Sequence, residues 1–330
     1  MKHEKVCGKE KICVDLWAVQ SYHWSNLKEN DHRKGKTQMD RSFLNARFGI
    51  EVEFTGISRR KAAEVLASVL EADGFDHRSS YDARTVCDAQ GREWKIVYDS
   101  SIETCIKTLD TAYRYEDNYK VEFVSPILTY DADIKTLQRI LRAFRKAGGC
   151  VKGTSGIHIH LDGGDHNAKS IKNFINLVAS RNDLLYKALQ VQPSRICYCK
   201  KLDETFVEAI KAKAPKTLAE VEDIWYSGYG GLRDSHYHQS RYHFLNLHSF
   251  FHGHGTVELR GFNSTLHAGV VRSYVVLALA LNYQALTAKS VRSAKVYDDN
   301  PKFAMRTWLN RIGFIGEEFK NCREHLIKHL

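Results

Sequence analysis

The sequence predicts an α+β fold. About six strand-like runs and six helical runs follow one another in irregular order, not as the regular alternation of a doubly wound parallel sheet. No glycine-rich phosphate loop joins a strand to a helix, which argues against Walker and dinucleotide-binding architectures. The 330 residues can bury a substantial core, in one large domain or two small ones, and only four prolines interrupt them.

Residues 1–44 are mixed, charged and weakly periodic, with a loop over Asn30 to Gly35, and read as an N-terminal extension. From Arg47 the pattern sharpens. Arg47–Thr55, Glu93–Tyr98, Lys120–Val124, Gly156–Leu161, Tyr242–His248 and Thr256–Phe262 show period-two alternation or β-branched and aromatic enrichment, and are expected as strands. Helices are expected over Arg60–Ala72, Ile134–Ala147, Ser170–Leu189, Asp203–Lys213, Val270–Thr287 and Pro301–Lys328. Ile134, Leu137, Ile140, Leu141 and Phe144 follow one helix face, which Gly148 and Gly149 then end. Residues 45–295 are read as the catalytic domain and 296–330 as a C-terminal helical segment packed on it.

The net charge of +10 favours polyanionic company, although basic clusters such as Arg59, Arg60 and Lys61 are spread among acids, as on a generic basic surface. Eight cysteines at irregular positions, behind a charged N-terminus with no apolar signal core, read as reduced thiols of a cytoplasmic protein. The apolar run Val270 to Leu281 is too short to span a bilayer and reads as a buried helix, so no membrane partner is expected.

The chemistry lies on the strands. Glu51 and Glu53 are two apart and project from one strand face, with Ile50, Val52 and Phe54 on the other. His158 and His160 alternate with apolar residues in the same way, as do Glu258 and Arg260, and Glu122 sits between Val121 and Phe123. Each pair alone is weak, since a Glu-x-Glu on an amphipathic strand commonly lines a solvent face. Together they make a polar face whose carboxylates repel unless cations sit among them. Oxygen ligands with a histidine point to Mg2+ or Mn2+, and Mg2+ that bridges to phosphates points to a nucleotide such as ATP.

Taken in order, Phe48 to Phe54, Val121 to Pro126, Gly156 to His160, Arg241 to Leu247 and Val257 to Phe262 resemble the amidoligase family, a relative of glutamine synthetases and glutamate–cysteine ligases. The resemblance covers roughly residues 45 to 290. It implies a glutamine-synthetase-like sheet of antiparallel strands, curved into a funnel with helices outside. It also implies an ATP-dependent carboxylate–amine ligase with an acyl-phosphate intermediate. Glu51, His158 and Glu258 match the ligands of the metal nearest the nucleotide phosphates, and Glu53 and Glu122 those of the metal at the acyl-phosphate centre. His160 and Arg241 match ATP-phosphate contacts, with Asn246 a weaker match, and Arg260 matches the group that stabilises the phosphoryl in transfer or the substrate carboxylate. Asp99 matches an aspartate that contacts substrate amine or metal. One departure from the pattern is that only Glu122 stands where glutamine synthetase has two glutamates. Either Glu103 supplies the missing ligand or fewer metals bind.

The segment Trp225 to Gln239, rich in glycine, aromatics and histidine, reads equally as a lid or as an irregular surface loop. Two other functions compete with the ligase. A phosphotransferase of the guanidine-kinase type keeps the fold but yields a stable phosphorylated product. A non-catalytic nucleic-acid-binding or scaffold protein would explain the charge, but no basic, aromatic-studded strand motif supports it. The expected partners are therefore small-molecule or peptide carboxylates and amines, with a homo-oligomer left open.

Overall fold

The computed structural model describes residues 41–78, 82–105, 116–295 and 299–330. Nearly all of the expected N-terminal extension, including the Asn30 to Gly35 loop, lies outside the described residues. Its last part does not: Ser42–Leu44 form a 3-10 turn, and Phe43 is buried against Phe314 and Phe319.

The strands are β1 (Phe48–Phe54), β2 (Asp76–Arg78), β3 (Ala83–Cys87), β4 (Glu93–Val97), β5 (Val121–Val124), β6 (Gly156–Asp162), β7 (Leu245–Asn246) and β8 (Thr256–Asn263). They form one eight-stranded sheet in the order β2-β3-β4-β5-β1-β6-β8-β7, and every neighbouring pair is antiparallel. The expected count of about six is therefore corrected to eight. The additions are β2 and β3. All three residues of β2 are exposed, so this edge strand carries no apolar alternation to read. The expected strand Tyr242–His248 shrinks to Leu245–Asn246, because Arg241 closes a 3-10 turn before it and α7 starts at His248.

The helices are α1 (Arg59–Leu70), α2 (Tyr130–Lys146), α3 (Ala168–Ala179), α4 (Asn182–Leu189), α5 (Glu204–Lys213), α6 (Leu218–Tyr226), α7 (His248–Phe251), α8 (Ala268–Thr287), α9 (Pro301–Arg311) and α10 (Lys320–Ile327). Two expected helices are split. Ser170–Leu189 breaks at Arg181, whose backbone leaves the helical region. Pro301–Lys328 breaks where Gly313 and Gly316 adopt positive φ, a conformation that ends a helix. α6 is additional, and a reciprocal cap between Thr217 and Glu220 starts it.

One sheet face is apolar from β4 to β8, with Arg84 and His77 continuing it at the exposed edge. Ile50, Val52, Phe54, Ile96, Phe123, Ile157, Ile159 and Leu259 are wholly buried in a single cluster with residues of α1, α2, α3 and α8. Phe54 lies 4.9 Å from Phe144 of α2, and Phe123 lies 5.5 Å from it edge-on. Burying each such ring contributes roughly 1.5–3 kcal/mol. α8 is long and apolar enough to cross a membrane by length and composition, but Val275 to Leu281 are fully buried within the protein.

Two local features fix the rest. In β8, Arg260 and Gly261 together oppose His158, a bulge between the Ile157–Phe262 and Ile159–Leu259 pairs. A side chain on Gly261 would overlap the Phe244 ring, so the strand bends there only because that residue is glycine. Behind the sheet, His166 is buried between Ser170 and Asn282, with ring nitrogens 3.0 and 2.9 Å from their side-chain oxygens.

The expectation of free thiols is corrected at one pair. Cys105 and Cys150 are disulfide-bonded, because both gather at the end of β1: Cys150 bridges to Thr55, and the Cys105 amide donates to the Thr55 hydroxyl. Among the described residues, Cys87, Cys197, Cys199 and Cys322 form no disulfide.

Replacing Phe144 with alanine should lower the unfolding free energy by about 3–5 kcal/mol, read as a fall in urea midpoint at unchanged slope. Burial holds His166 and His243 below the ordinary histidine value, so the unfolded chain binds protons first as pH falls. Stability should therefore decline from about pH 7 to about pH 5.5; a midpoint that rises over this range would contradict it.

Candidate active site

The antiparallel register assembles the polar face. Directly opposed residues share a face, and the pairs are Glu53 with Glu122, Glu51 with His158, His160 with Glu258, and Asn246 with Glu258. Asp99 joins them from just beyond β4, wholly buried, with one carboxylate oxygen accepting the Ser101 amide at 2.7 Å. The long helices pack on the other face, and on this side the short α7 brings His248 and Ser249 next to Glu258 and Thr256.

Contacts within the cluster are close. His158 Nδ1 lies 2.9 Å from Glu51 and 3.9 Å from Glu258, while its Nε2 lies 3.8 Å from Glu53. His160 Nε2 lies 3.4 Å from Glu51, and its Nδ1 lies 2.9 Å from the Thr256 hydroxyl. The Arg260 guanidinium donates to one oxygen of Glu258, and the Asn246 amide donates to the other. Asn246 Oδ1 in turn accepts the His248 amide at 2.9 Å, which fixes which way its amide faces. The Gly156 amide donates to Glu53 at 2.8 Å.

Burial alone raises the Glu51 carboxyl, but the His160 charge and hydrogen bonds from His158 and His160 bring it well below the usual range. Burial also raises Glu258, and the Arg260 charge, with His160 and His158 behind it, outweighs burial. His158 moves the other way: burial and then Arg260 push it down against the Glu51 hydrogen bond, which favours the neutral imidazole. Ionised carboxylates and a neutral imidazole are the protonation states that ligate metals.

Three sets of these side chains have ligand atoms within 4.8 Å of one another: Glu51, His160 and Glu258; Glu51, Glu122 and His158; and Glu53, Asp99 and Glu122. Five carboxylates thus share a patch with the Arg260 guanidinium, a donor set that suits hard divalent cations. The expected ligands Glu51, Glu53, Glu122, His158 and Glu258 are brought together, but the grouping differs in that both histidines reach Glu51. Glu103 is exposed and belongs to none of the sets; Asp99 stands with Glu53 and Glu122 instead.

Arg241 stands at the rim. Its Nη1 donates to the His236 carbonyl at 2.8 Å and its guanidinium lies 5.7 Å from the Tyr237 ring. With Asn246, His248 and Glu258 it lines a small pocket of about 20 Å³, which His236 also borders. The segment expected as lid or loop therefore reaches this rim, while residues 230–237 are exposed. Its N-terminal part is tied by Tyr226 to His248 at 2.7 Å and by Tyr229 to His243 at 3.2 Å.

Two cations were not singled out from the sequence. Lys95 opposes Val124, which opposes Glu51, so this buried lysine shares the polar face. The alternation Glu93, Lys95, Val97 was a usable signal. Arg195 is buried and donates to the Arg260 and Phe262 carbonyls at 2.8 and 2.6 Å, holding the bulged strand. It comes from a 3-10 turn with no periodic signal.

Residues 44–282 match the family model described as "Putative amidoligase enzyme". The chain belongs to this amidoligase family. Among solved structures, a bifunctional glutathione synthetase from Pasteurella multocida is similar at 11% identity and a TM-score of 0.39, over 87% of this chain and 47% of that one. The chain thus spans about half the length of that structure. At this level the likeness carries no argument about the site. No curated protein matches the chain.

The amidoligase chain should take up Mn2+ in equilibrium dialysis. Glu53→Gln and Glu258→Gln should each weaken that uptake by about tenfold or more with the fold retained. Equal uptake by all three proteins would contradict the assignment.

Proposed function

We propose that this amidoligase is an ATP-dependent carboxylate–amine ligase of the glutamine-synthetase-like superfamily, acting through an acyl phosphate at a Mg2+ or Mn2+ site. The observation that carries the reading is the convergence of Glu51, Glu53, Asp99, Glu122 and Glu258 with two imidazoles and Arg260 on one buried sheet face. Unneutralised, that many carboxylates would not ionise together in so small a volume, and family membership supports the ligase class.

The family motifs assign the roles. Glu51, His158 and Glu258 would hold one cation, with His160 also within reach of Glu51 and Glu258, and Glu53 and Glu122, with Asp99 beside them, would hold another. Cations held there would neutralise charge between the ATP phosphates and the substrate carboxylate. His160 and Arg241 bind the phosphate oxygens. Asn246 keeps Glu258 oriented, since it grips the carboxylate oxygen that Arg260 does not.

In the first step a substrate carboxylate oxygen attacks the γ-phosphorus and the bond to ADP breaks. Arg260 offsets the charge that builds on the transferring group. In the second step the amine attacks the acyl carbon and phosphate leaves. Asp99, one of whose oxygens is already held by the Ser101 amide, takes the amine proton on the other. The 45–295 span is proposed as the catalytic domain, with the helices after it packed on α8.

The test is ADP release with Mg2+ or Mn2+ and pooled carboxylates and amines. ADP and phosphate should form only when both substrates are present, with an amide product. Glu53→Ala and Glu258→Ala should lower kcat by about 10²-fold or more. A stable phosphorylated product with no amide would assign the fold to phosphotransfer instead. Folded protein that neither binds nor turns over MgATP with any pool would overturn the proposal.

A further inference from the structure

On the helical layer, away from the carboxylate face, a cavity of about 790 Å³ opens between α2, the start of α8 and α10. Arg142, Arg145 and Lys146 enter it from α2, His267 and Arg272 from α8 and its cap, and His325 from α10. No aspartate or glutamate lines it. On a protein with 39 acidic residues against 49 lysines and arginines, a cavity whose charged lining is wholly basic departs from the interspersed surface seen elsewhere.

Ordinary structural duties account for part of this set. Arg145 and Lys146 sit in the last turn of α2, where cations complement the helix dipole. Arg272 donates to the Tyr130 hydroxyl at 2.8 Å and to the Glu318 carbonyl at 3.2 Å. His267 caps the start of α8 through Nδ1, which leaves Arg142 and His325 without a structural reason to face the same space.

The two histidines sharpen the point. His267 Nδ1 accepts the Val270 amide, which places the proton on Nε2 and makes that nitrogen a donor. Its ring lies 5.2 Å from that of His325. Burial lowers His325 first, and the charges of His267 and Lys328 lower it further, against a weaker opposing pull from Glu324. The first turn of a 20-residue helix adds its positive end to the same wall.

We propose that this cavity is a second ligand site, for a small phosphorylated anion carrying more than one negative charge. Planar guanidinium groups and imidazole N–H donors match phosphate oxygens, and the volume suits a small ligand with room for water. The site goes beyond the ligase reading and does not depend on it, because none of its residues belongs to the carboxylate face. The same chemistry occurs in free phosphorylated metabolites and in phosphorylated lipid headgroups.

The experiment is isothermal titration calorimetry of the full chain with inorganic pyrophosphate, in EDTA so that the carboxylate face holds no divalent ion. Three proteins are compared: wild type, Arg142→Gln with Arg145→Gln, and a control, Lys211→Gln with Lys213→Gln on α5, that removes equal charge elsewhere. Wild type and control should bind alike, and the α2 double variant at least about tenfold more weakly, with an unchanged circular dichroism spectrum. His325→Ala should also weaken binding, a check that does not touch α2. Sedimentation with vesicles containing a phosphoinositide, in wild type but not in the α2 variant, identifies a lipid source; its absence beside pyrophosphate binding identifies a soluble one. Either supports the site. Equal weakening in the α5 control reduces the effect to net charge and overturns the proposal, as does wild type that binds no pyrophosphate.

Discussion

Glu53 and Glu122 stand directly opposite each other on neighbouring antiparallel strands, and the rest of the structure has to accommodate that opposition. Like charges across a strand pair destabilise it, and burial removes the water that would screen them. The sheet tolerates the pair because its other face is packed against helices without a break, from Trp94 through Phe54 to Leu259. Local relief is only partial. The Gly156 amide serves Glu53, and Arg260 and Asn246 serve Glu258. An apolar core has been used to hold a charged surface in a strained electrostatic state, a signature of a functional site rather than of a stabilising network.

The positions that support this face do so through backbone geometry. The bulge at Arg260 and Gly261 rotates the end of β8 relative to β6, and Arg195 satisfies the carbonyls that the irregular strand leaves exposed. Without the bulge, continued one-to-one pairing would place Gly261, rather than Phe262, opposite His158's neighbour Ile157. Asn246 performs a similar service from β7, with both ends of its amide committed. Such supports explain how side chains on a sheet, which is stiffer than a loop, can hold a fixed arrangement before any ligand arrives.

Much of this was legible in the sequence, and the parts that were not share a cause. Alternation along Phe48–Phe54, Gly156–Asp162 and Thr256–Asn263 states which residues share a face, because the side-chain period of a strand is two. It does not state which strands are neighbours. The pairing of Glu53 with Glu122 and the approach of Asp99 to both are long-range facts. Lys95 was overlooked for that reason: a lysine in an alternating run reads as solvent-facing until β5 is known to lie beside it. β2 gave no signal because all of it is exposed. The split of Ser170–Leu189 at Arg181 was hidden because apolar periodicity continues across the break into α4. Glu103 looked as good a ligand as Asp99 in sequence, and only the turn at Ser101 decides between them, burying one and exposing the other.

The central claim is that the carboxylate face is a divalent-cation site. Its most direct test is anomalous X-ray diffraction from crystals grown with Mn2+, which locates the ion without relying on activity. The account predicts anomalous density within coordinating distance of Glu53, Asp99 and Glu122, and again beside Glu51, His158 and Glu258. A saturated crystal with no density at either place, its carboxylates instead bridged by protons or by a basic side chain, would contradict it.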